Sequence, residues 1–251
     1  MEPWYQTFFQ DFYYDVWFQR RSVDAEGRST AEADFVVQAL ALRPGASILD
    51  LCCGQGRIAV ELARRGFRLT GLDLSANLLA LGRQAASRAG VEVEWVQADM
   101  RQVPPGPFDA IINIFSAFGY LESDDEDQKV LDGVARALAP GGRFFLDVHS
   151  REHFIRMGPR SEWERLPDGA LLLTETEIDL VTSRWHASNT LLQVEGRSET
   201  QDFVVRQYSL TELVGMLQRA GLVVENTWGG YDGSPYTLES VRLIIMAARP
   251  S

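Results

Sequence analysis

Two glycines and a following acid are spaced as a nucleotide-type site requires. The apolar run Ser47 to Leu51 leads into Cys52-Cys53-Gly54-Gln55-Gly56-Arg57, and a helical pattern follows from Ile58 to Arg65. Glycines at such a turn admit left-handed backbone and let a ligand come close. A second apolar run, Phe67 to Leu72, delivers Asp73. In a parallel sheet that acid lies beside the glycine turn, where a carboxylate accepts hydrogen bonds from both hydroxyls of a ribose.

The spacing Gly54-x-Gly56-x-x-Ala59 fits any nucleotide-binding strand–turn–helix unit, so dinucleotides and S-adenosylmethionine (SAM) both remain open on these residues alone. The elements that must hold them are periodic. Ala31 to Leu42 and Ala76 to Ala89 carry helical patterns, and Val91 to Gln97 and Phe108 to Asn113 read as further strands. Alternating strands and helices of this kind imply a parallel sheet covered on both faces.

Further motifs narrow the reading. Asp50-Leu51-Cys52-Cys53-Gly54-Gln55-Gly56 resembles the Asp-Leu-Gly-Cys-Gly-x-Gly pattern of class I SAM-dependent methyltransferases, with Cys52 in place of the first glycine. Gln97-Ala98-Asp99-Met100 is similar to the family's acid after the third strand. Phe108 to Asn113 looks like its fourth strand, and Leu138-Ala139-Pro140-Gly141-Gly142 like its turn into the fifth. The resemblance implies an α/β fold: a seven-stranded, doubly wound, mostly parallel sheet with an antiparallel last strand, an N-terminal helical lid and an antiparallel β insertion. It also implies SAM as cofactor, with S-adenosylhomocysteine (SAH) as product. Asp73 would hold the ribose, Asp50 the methionyl amino group, and Asp99 and Met100 the adenine. Cys52, Gly54, Gly56, Arg57, Leu74, Asn113 and Phe115 would complete the cofactor site.

The acceptor side is less defined. Trp4 to Arg21 is dense in aromatics at helical spacing, which reads as packing and, for Tyr5, Tyr13 and Trp17, as candidate acceptor contacts. Strand five ends at His149, whose ordinary pKa of about 6.5 suits removal of a proton from an amine or hydroxyl, making it the candidate base; a merely polar role stays open. From Glu162 to Tyr208 the helical period gives way to alternation, read as three antiparallel strands beginning at Leu171, Arg184 and Glu199. Trp163, Trp185, His186 and Arg206 are the candidates there to face an acceptor, and the alternation alone leaves open which side each takes. The expected division is a lid at 1–30, a cofactor core at 31–160, an insertion over the acceptor site at 161–209, and the last helix and hairpin at 210–251. The short glycine-rich connection from Gly229 makes the final two strands antiparallel.

Bulk properties exclude several classes. The 251 residues carry a formal charge of −11, which argues against a long nucleic-acid footprint and favours small-molecule partners. No apolar run approaches the ~20 residues of a membrane span, and the first residues lack a signal-like core, so a cytoplasmic protein is expected. The cysteines Cys52 and Cys53 are adjacent, and the histidines His149, His153 and His186 show no metal-ligand spacing, so no metal is expected. The expected function is methyl transfer to a small amine or hydroxyl compound, with the insertion offering a homodimer surface. An RNA or protein methyltransferase, a dinucleotide oxidoreductase and a SAM-binding protein without transferase activity are the alternatives.

Overall fold

The computed structural model describes residues 3–9 and 27–251. The candidate acceptor contacts Tyr13 and Trp17 lie outside the described residues. The short helix α1 (Trp4–Phe8) precedes α2 (Arg28–Leu40), after which β1 (Ser47–Leu51), α3 (Arg57–Arg64), β2 (Arg68–Asp73), α4 (Ala76–Ala89) and β3 (Val93–Gln97) alternate. Next come β4 (Phe108–Asn113), α5 (Asp124–Ala137), β5 (Leu138–His149) and α6 (Arg151–Met157). Strands β6 (Arg160–Arg165), β7 (Leu171–Asp179), β8 (Arg184–Leu192) and β9 (Ser198–Arg206) follow, and α7 (Leu210–Arg219), β10 (Val223–Trp228) and β11 (Arg242–Ala248) close the chain.

Seven strands form one sheet in the order β10-β11-β5-β4-β1-β2-β3. β1 pairs in parallel with both β2 and β4, while β11 runs antiparallel to β5 and β10. The order reverses direction at β1, so the carboxyl ends of β1 and β4 bound a crevice, the place where open α/β sheets bind ligands. The central strands are apolar almost without interruption because helices cover both faces. Leu49, Leu51, Ile111 and Phe144 pack towards α5 and α7, and Ile48, Ile112, Phe145 and Ile244 pack towards α2 and α3. The connection before β5 is absorbed by a register shift, with Phe108 opposite Leu138 and Ala110 opposite Arg143.

The segment after β5 forms a second, four-stranded antiparallel sheet, β6-β7-β8-β9, where three strands were expected. The additional strand β6 pairs with β7 from Arg160 opposite Thr176 to Arg165 opposite Leu171. All six of its residues are exposed, so Arg-Ser-Glu-Trp-Glu-Arg carries no apolar alternation to announce it. This sheet has a small core of its own, in which Leu166, Leu172 and Leu191 meet Phe8 of α1. Helix α1 thus joins the two sheets. Among the described residues no helix is long and apolar enough to cross a membrane.

Candidate active site

The strand-to-turn junction after β1 shapes a cleft of about 980 Å³, open to solvent on one side. Asp50, Cys52, Gly54, Arg57, Asp73, Leu74, Asp99, Met100 and Phe115 all line it, and so does Tyr5 from α1. Cys53, Gln55, Ile114 and Tyr120 also line it, although they carried no signal in the sequence beyond lying beside motif residues. The turn is tight: Cys52, Gly54 and Gly56 all have positive φ, and Cys53 N–H donates to Leu72 O at 2.9 Å, tying the turn to β2.

Asp73 is fixed by the same turn. Its Oδ2 accepts from Gly54 N–H at 2.8 Å and its Oδ1 from Ser75 N–H at 2.9 Å. Burial raises its pKa, and these backbone hydrogen bonds oppose the rise. Each carboxylate oxygen has a second lone pair left for a ligand hydroxyl. Asp99 is held by Arg101, whose Nε reaches Oδ1 at 2.9 Å and whose Nη2 reaches Oδ2 at 2.6 Å. Burial pushes its carboxyl up, but the hydrogen bonds from Arg101 outweigh it and the pKa falls below the usual carboxylate range. Arg101 also pairs with Glu126 at 2.8 Å and lies 3.7 Å from Glu122, which accepts the Tyr5 hydroxyl at 2.7 Å. With Ser75 Oγ donating to Phe9 O at 3.2 Å, α1 is fastened at both edges of the cleft.

Asp50 is almost completely buried, and burial raises its pKa to about 7 despite the opposing pull of Arg57. A buried acid of this kind, in a cleft that also holds Asp73 and Asp99, calls for a cationic ligand. SAM fits: it carries a sulfonium and an ammonium, a ribose diol for Asp73, and an adenine amino group for Asp99.

Gly56 and Asn113 stand elsewhere than on the cleft wall. A Cβ on Gly56 would lie 2.3 Å from the Trp95 ring, and Gly71 and Gly82 are similarly close to it at 3.0 and 2.6 Å. The glycines at these positions make room for a tryptophan under the turn. Asn113 is buried, its Nδ2 donating to Leu51 O at 2.8 Å, and it braces β4 against β1.

Beyond Asn113 the backbone is strained. Phe115 and Ser116 are consecutive non-glycine residues at φ 72° and 64°, a conformation costing ~1–3 kcal/mol per residue. Asp147 over-determines it. Phe115 N–H donates to its Oδ2 at 3.1 Å and Ser116 N–H to its carbonyl at 2.9 Å. The Tyr231 hydroxyl and Arg242 Nε reach the same carboxylate at 2.8 and 2.7 Å. These residues present the partly exposed Phe115 ring to the cleft.

His149 sits behind that loop, its ring nitrogens 3.3 and 3.4 Å from Arg242 Nη1. Burial first, and the Arg242 charge second, depress its pKa to about 3. It is neutral near pH 7 and a weak proton acceptor, which runs against the role expected from its ordinary pKa. Trp185 stacks on Phe154 at 4.6 Å and meets Phe203 edge-on at 5.4 Å, within the packing of the second sheet. Arg206 is buried and engaged: Nε and Nη2 pair with Asp124 and Glu212 at 3.1 and 2.6 Å. Its carbonyl would meet a Cβ on Gly119 at 2.3 Å, so Arg206 ties the second sheet to the core. Among the described residues no cluster of His, Cys, Asp or Glu suits a metal ion.

A family model described as a methyltransferase domain matches residues 48–142, the span from β1 into the first residues of β5. The putative methyltransferase YqeM of Bacillus subtilis is 26% identical over 217 residues, covering 80% of this chain and 83% of that protein. A SAM-dependent methyltransferase from Clostridium acetobutylicum superposes with a TM-score of 0.81 at 16% identity, over 95% of this chain and 96% of the other. SAM-bound CalS10, an amino pentose methyltransferase from Micromonospora echinaspora, gives 0.71 at 23% identity over 91% and 94% of the two chains. At such identities the solved structures speak for the fold, and the matched domain covers the segment that builds the cleft. Residues 48–142 thus match a methyltransferase domain, within a chain that shares the fold of SAM-dependent methyltransferases.

Proposed function

We propose that the enzyme methylates the nitrogen or oxygen of a small molecule enclosed between the two sheets. The observation that carries this reading is the way α1, backed by the antiparallel sheet, covers the cleft. Tyr5 and Phe9 of the N-terminal segment line it, and Trp4 and Phe8 pack on Phe203 of β9 at 5.6 and 4.8 Å. CalS10, an amino pentose methyltransferase, is a precedent on the same fold.

SAM, when bound, supplies a methyl group on a sulfonium, open to displacement by an acceptor lone pair. Asp73 binds the ribose, Asp99 and Met100 the adenine, and Asp50 the methionyl ammonium. Cys52, Gly54, Arg57 and Leu74 line the cofactor's length, and Phe115 marks the passage from cofactor to acceptor. Alignment of acceptor and methyl is the main source of rate, where proximity supplies ~7–11 kcal/mol. His149 does not serve as the base in this reading; an amine arriving neutral needs none. The lid at 1–30, core at 31–160, insertion at 161–209 and closing segment at 210–251 remain the working division, and the second sheet offers a homodimer surface. A cytoplasmic setting accords with two free cysteines.

Incubation with methyl-labelled SAM and three acceptor pools tests the reading: small amines and hydroxy compounds, bulk RNA, and unfolded protein. Label is expected in the small-molecule pool. Label confined to RNA or protein overturns the acceptor class while leaving the cofactor assignment standing.

A further inference from the structure

One side chain stands between Asp99 and α1. Besides the two contacts of its fork, Arg101 donates its backbone N–H to Asp99 Oδ1 at 2.8 Å, so Oδ1 accepts from N–H and Nε while Oδ2 accepts from Nη2. A carboxylate oxygen has two lone pairs. Among the described residues Oδ1 is therefore filled and Oδ2 keeps one acceptor position, which suits a single donor such as the amino group of adenine. The remaining nitrogen, Nη1, lies 2.8 Å from Glu126 and 3.7 Å from Glu122. Glu122 accepts the hydroxyl of Tyr5. Burial, and the Glu122 carboxylate after it, push that hydroxyl's pKa up to about 12, so Tyr5 remains a donor.

Glu122 and Glu126 belong to an acidic run, Glu122 to Asp127, that leads into the first turn of α5. Negative charge is favoured at a helix N-terminus, which accounts for the run's acidity but not for its partners. Asp124 and Asp127 accept the Tyr208 hydroxyl at 3.0 and 2.8 Å, beyond the end of β9, whereas Glu122 and Glu126 stand with Asp99 around the Arg101 guanidinium. Arg101, Asp99 and Glu126 are each less than a third exposed, and charges so shielded from water interact more strongly than surface pairs do. Arg101 itself is not on the cleft wall; Asp99 and Tyr5 are.

Resting on the assignment of SAM to this cleft, we propose that Arg101 is a positioning residue that joins the acid receiving adenine to the helix covering the cleft. Cofactor binding at Asp99 and docking of α1 then strengthen each other, and the coupling runs equally in both directions. Arg101 acts through Asp99 on one side and through Glu122 and Tyr5 on the other.

Calorimetry with SAH on the full chain reads this coupling in a double-substitution cycle. Tyr5→Phe is expected to weaken SAH binding at least about fivefold in the otherwise unchanged chain and less than about twofold in Arg101→Gln. Equal losses in the two backgrounds overturn the inference. Hydrogen exchange at the backbone amides of residues 4–9 gives a reading that a merely structural arginine does not move. Saturating SAH is expected to slow that exchange at least about fivefold in the unsubstituted chain and less than about twofold in Arg101→Gln. Arg101→Lys keeps the positive charge among the three carboxylates, which guards against misfolding, but its ammonium lacks the fork that spans Asp99 and Glu126. It is expected to lose the coupling in both measurements, and a coupling retained in full by either variant overturns the inference. Absence of SAH binding to the unsubstituted chain removes instead the cofactor assignment beneath it.

Discussion

The seven-stranded sheet and the four-stranded sheet are both built from short strands, yet they treat their side chains in opposite ways. In β1 and β11 nearly every residue is buried, and few polar groups are buried within the sheet, among them Asp50 of β1, Asn113 of β4 and Asp147 of β5. In β6 every residue is exposed, and in β8 buried Ala187, Asn189 and Leu191 alternate with partly exposed neighbours. A sheet covered on both faces fixes its register tightly, because any slip misplaces a whole set of apolar side chains. It can therefore hold a carboxylate to within hydrogen-bonding tolerance of a cofactor. The half-exposed sheet has one face to vary, which suits it to enclosing an acceptor.

Changes on the two sheets should accordingly differ in kind and in size. The largest effect is expected from Asp73→Ala, which removes the proposed ribose acceptor and leaves the Gly54 and Ser75 N–H groups without their partner. Two charge-assisted hydrogen bonds at ~1.5–3 kcal/mol each predict a loss of SAM affinity of about 100-fold or more, read by calorimetry. Gly56→Val comes next and acts on folding. It combines φ 74° with a Cβ 2.3 Å from Trp95, for an expected loss of ~2–4 kcal/mol in chemical denaturation. If the glycine served the ligand alone, stability would hold and only binding would suffer.

Asp50 gives a pH test of intermediate size. Its folded pKa of about 7 exceeds the ordinary 3.8, so the unliganded protein binds this proton more tightly than the unfolded chain does. The stability that the proton confers is fully present below 3.8 and is lost as pH rises through about 7. A cationic ligand favours the ionised form, so SAM affinity should fall by up to about tenfold per pH unit below this pKa and level off above it. Asp50→Asn should flatten that profile; an unchanged slope would locate the proton elsewhere. The smallest effect belongs to Trp163→Ser on β6. Trp163 is 69% exposed, and the substitution should change stability by no more than ~0.5 kcal/mol and SAM affinity not at all. A marked loss of stability that depends on protein concentration would instead reveal a partner chain on this strand.

The same contrast explains what could be read without a structure. The apolar runs of β1, β2, β4 and β5, the glycine turn and the acids closing its strands announce themselves locally, so the fold and the cofactor cleft were legible. Trp95 was not, because its partners Gly56, Gly71 and Gly82 come from three separate elements. The guanidinium groups of Arg28, Arg57 and Arg242 likewise meet about the Phe115 ring, a juxtaposition that only the topology creates. His149 carries two opposed signals: its position at the end of β5 suggests a base, while burial beside Arg242 lowers its pKa. Arg206 reads as a free cation in a polar strand until Asp124 and Glu212 close on it.

The most direct test of the account is parallel titration calorimetry of the purified chain with SAH and with NAD. The account predicts one SAH bound per chain and no heat from NAD. Binding of NAD in place of SAH would contradict it, and would return Gly54 to Asp73 to a dinucleotide site.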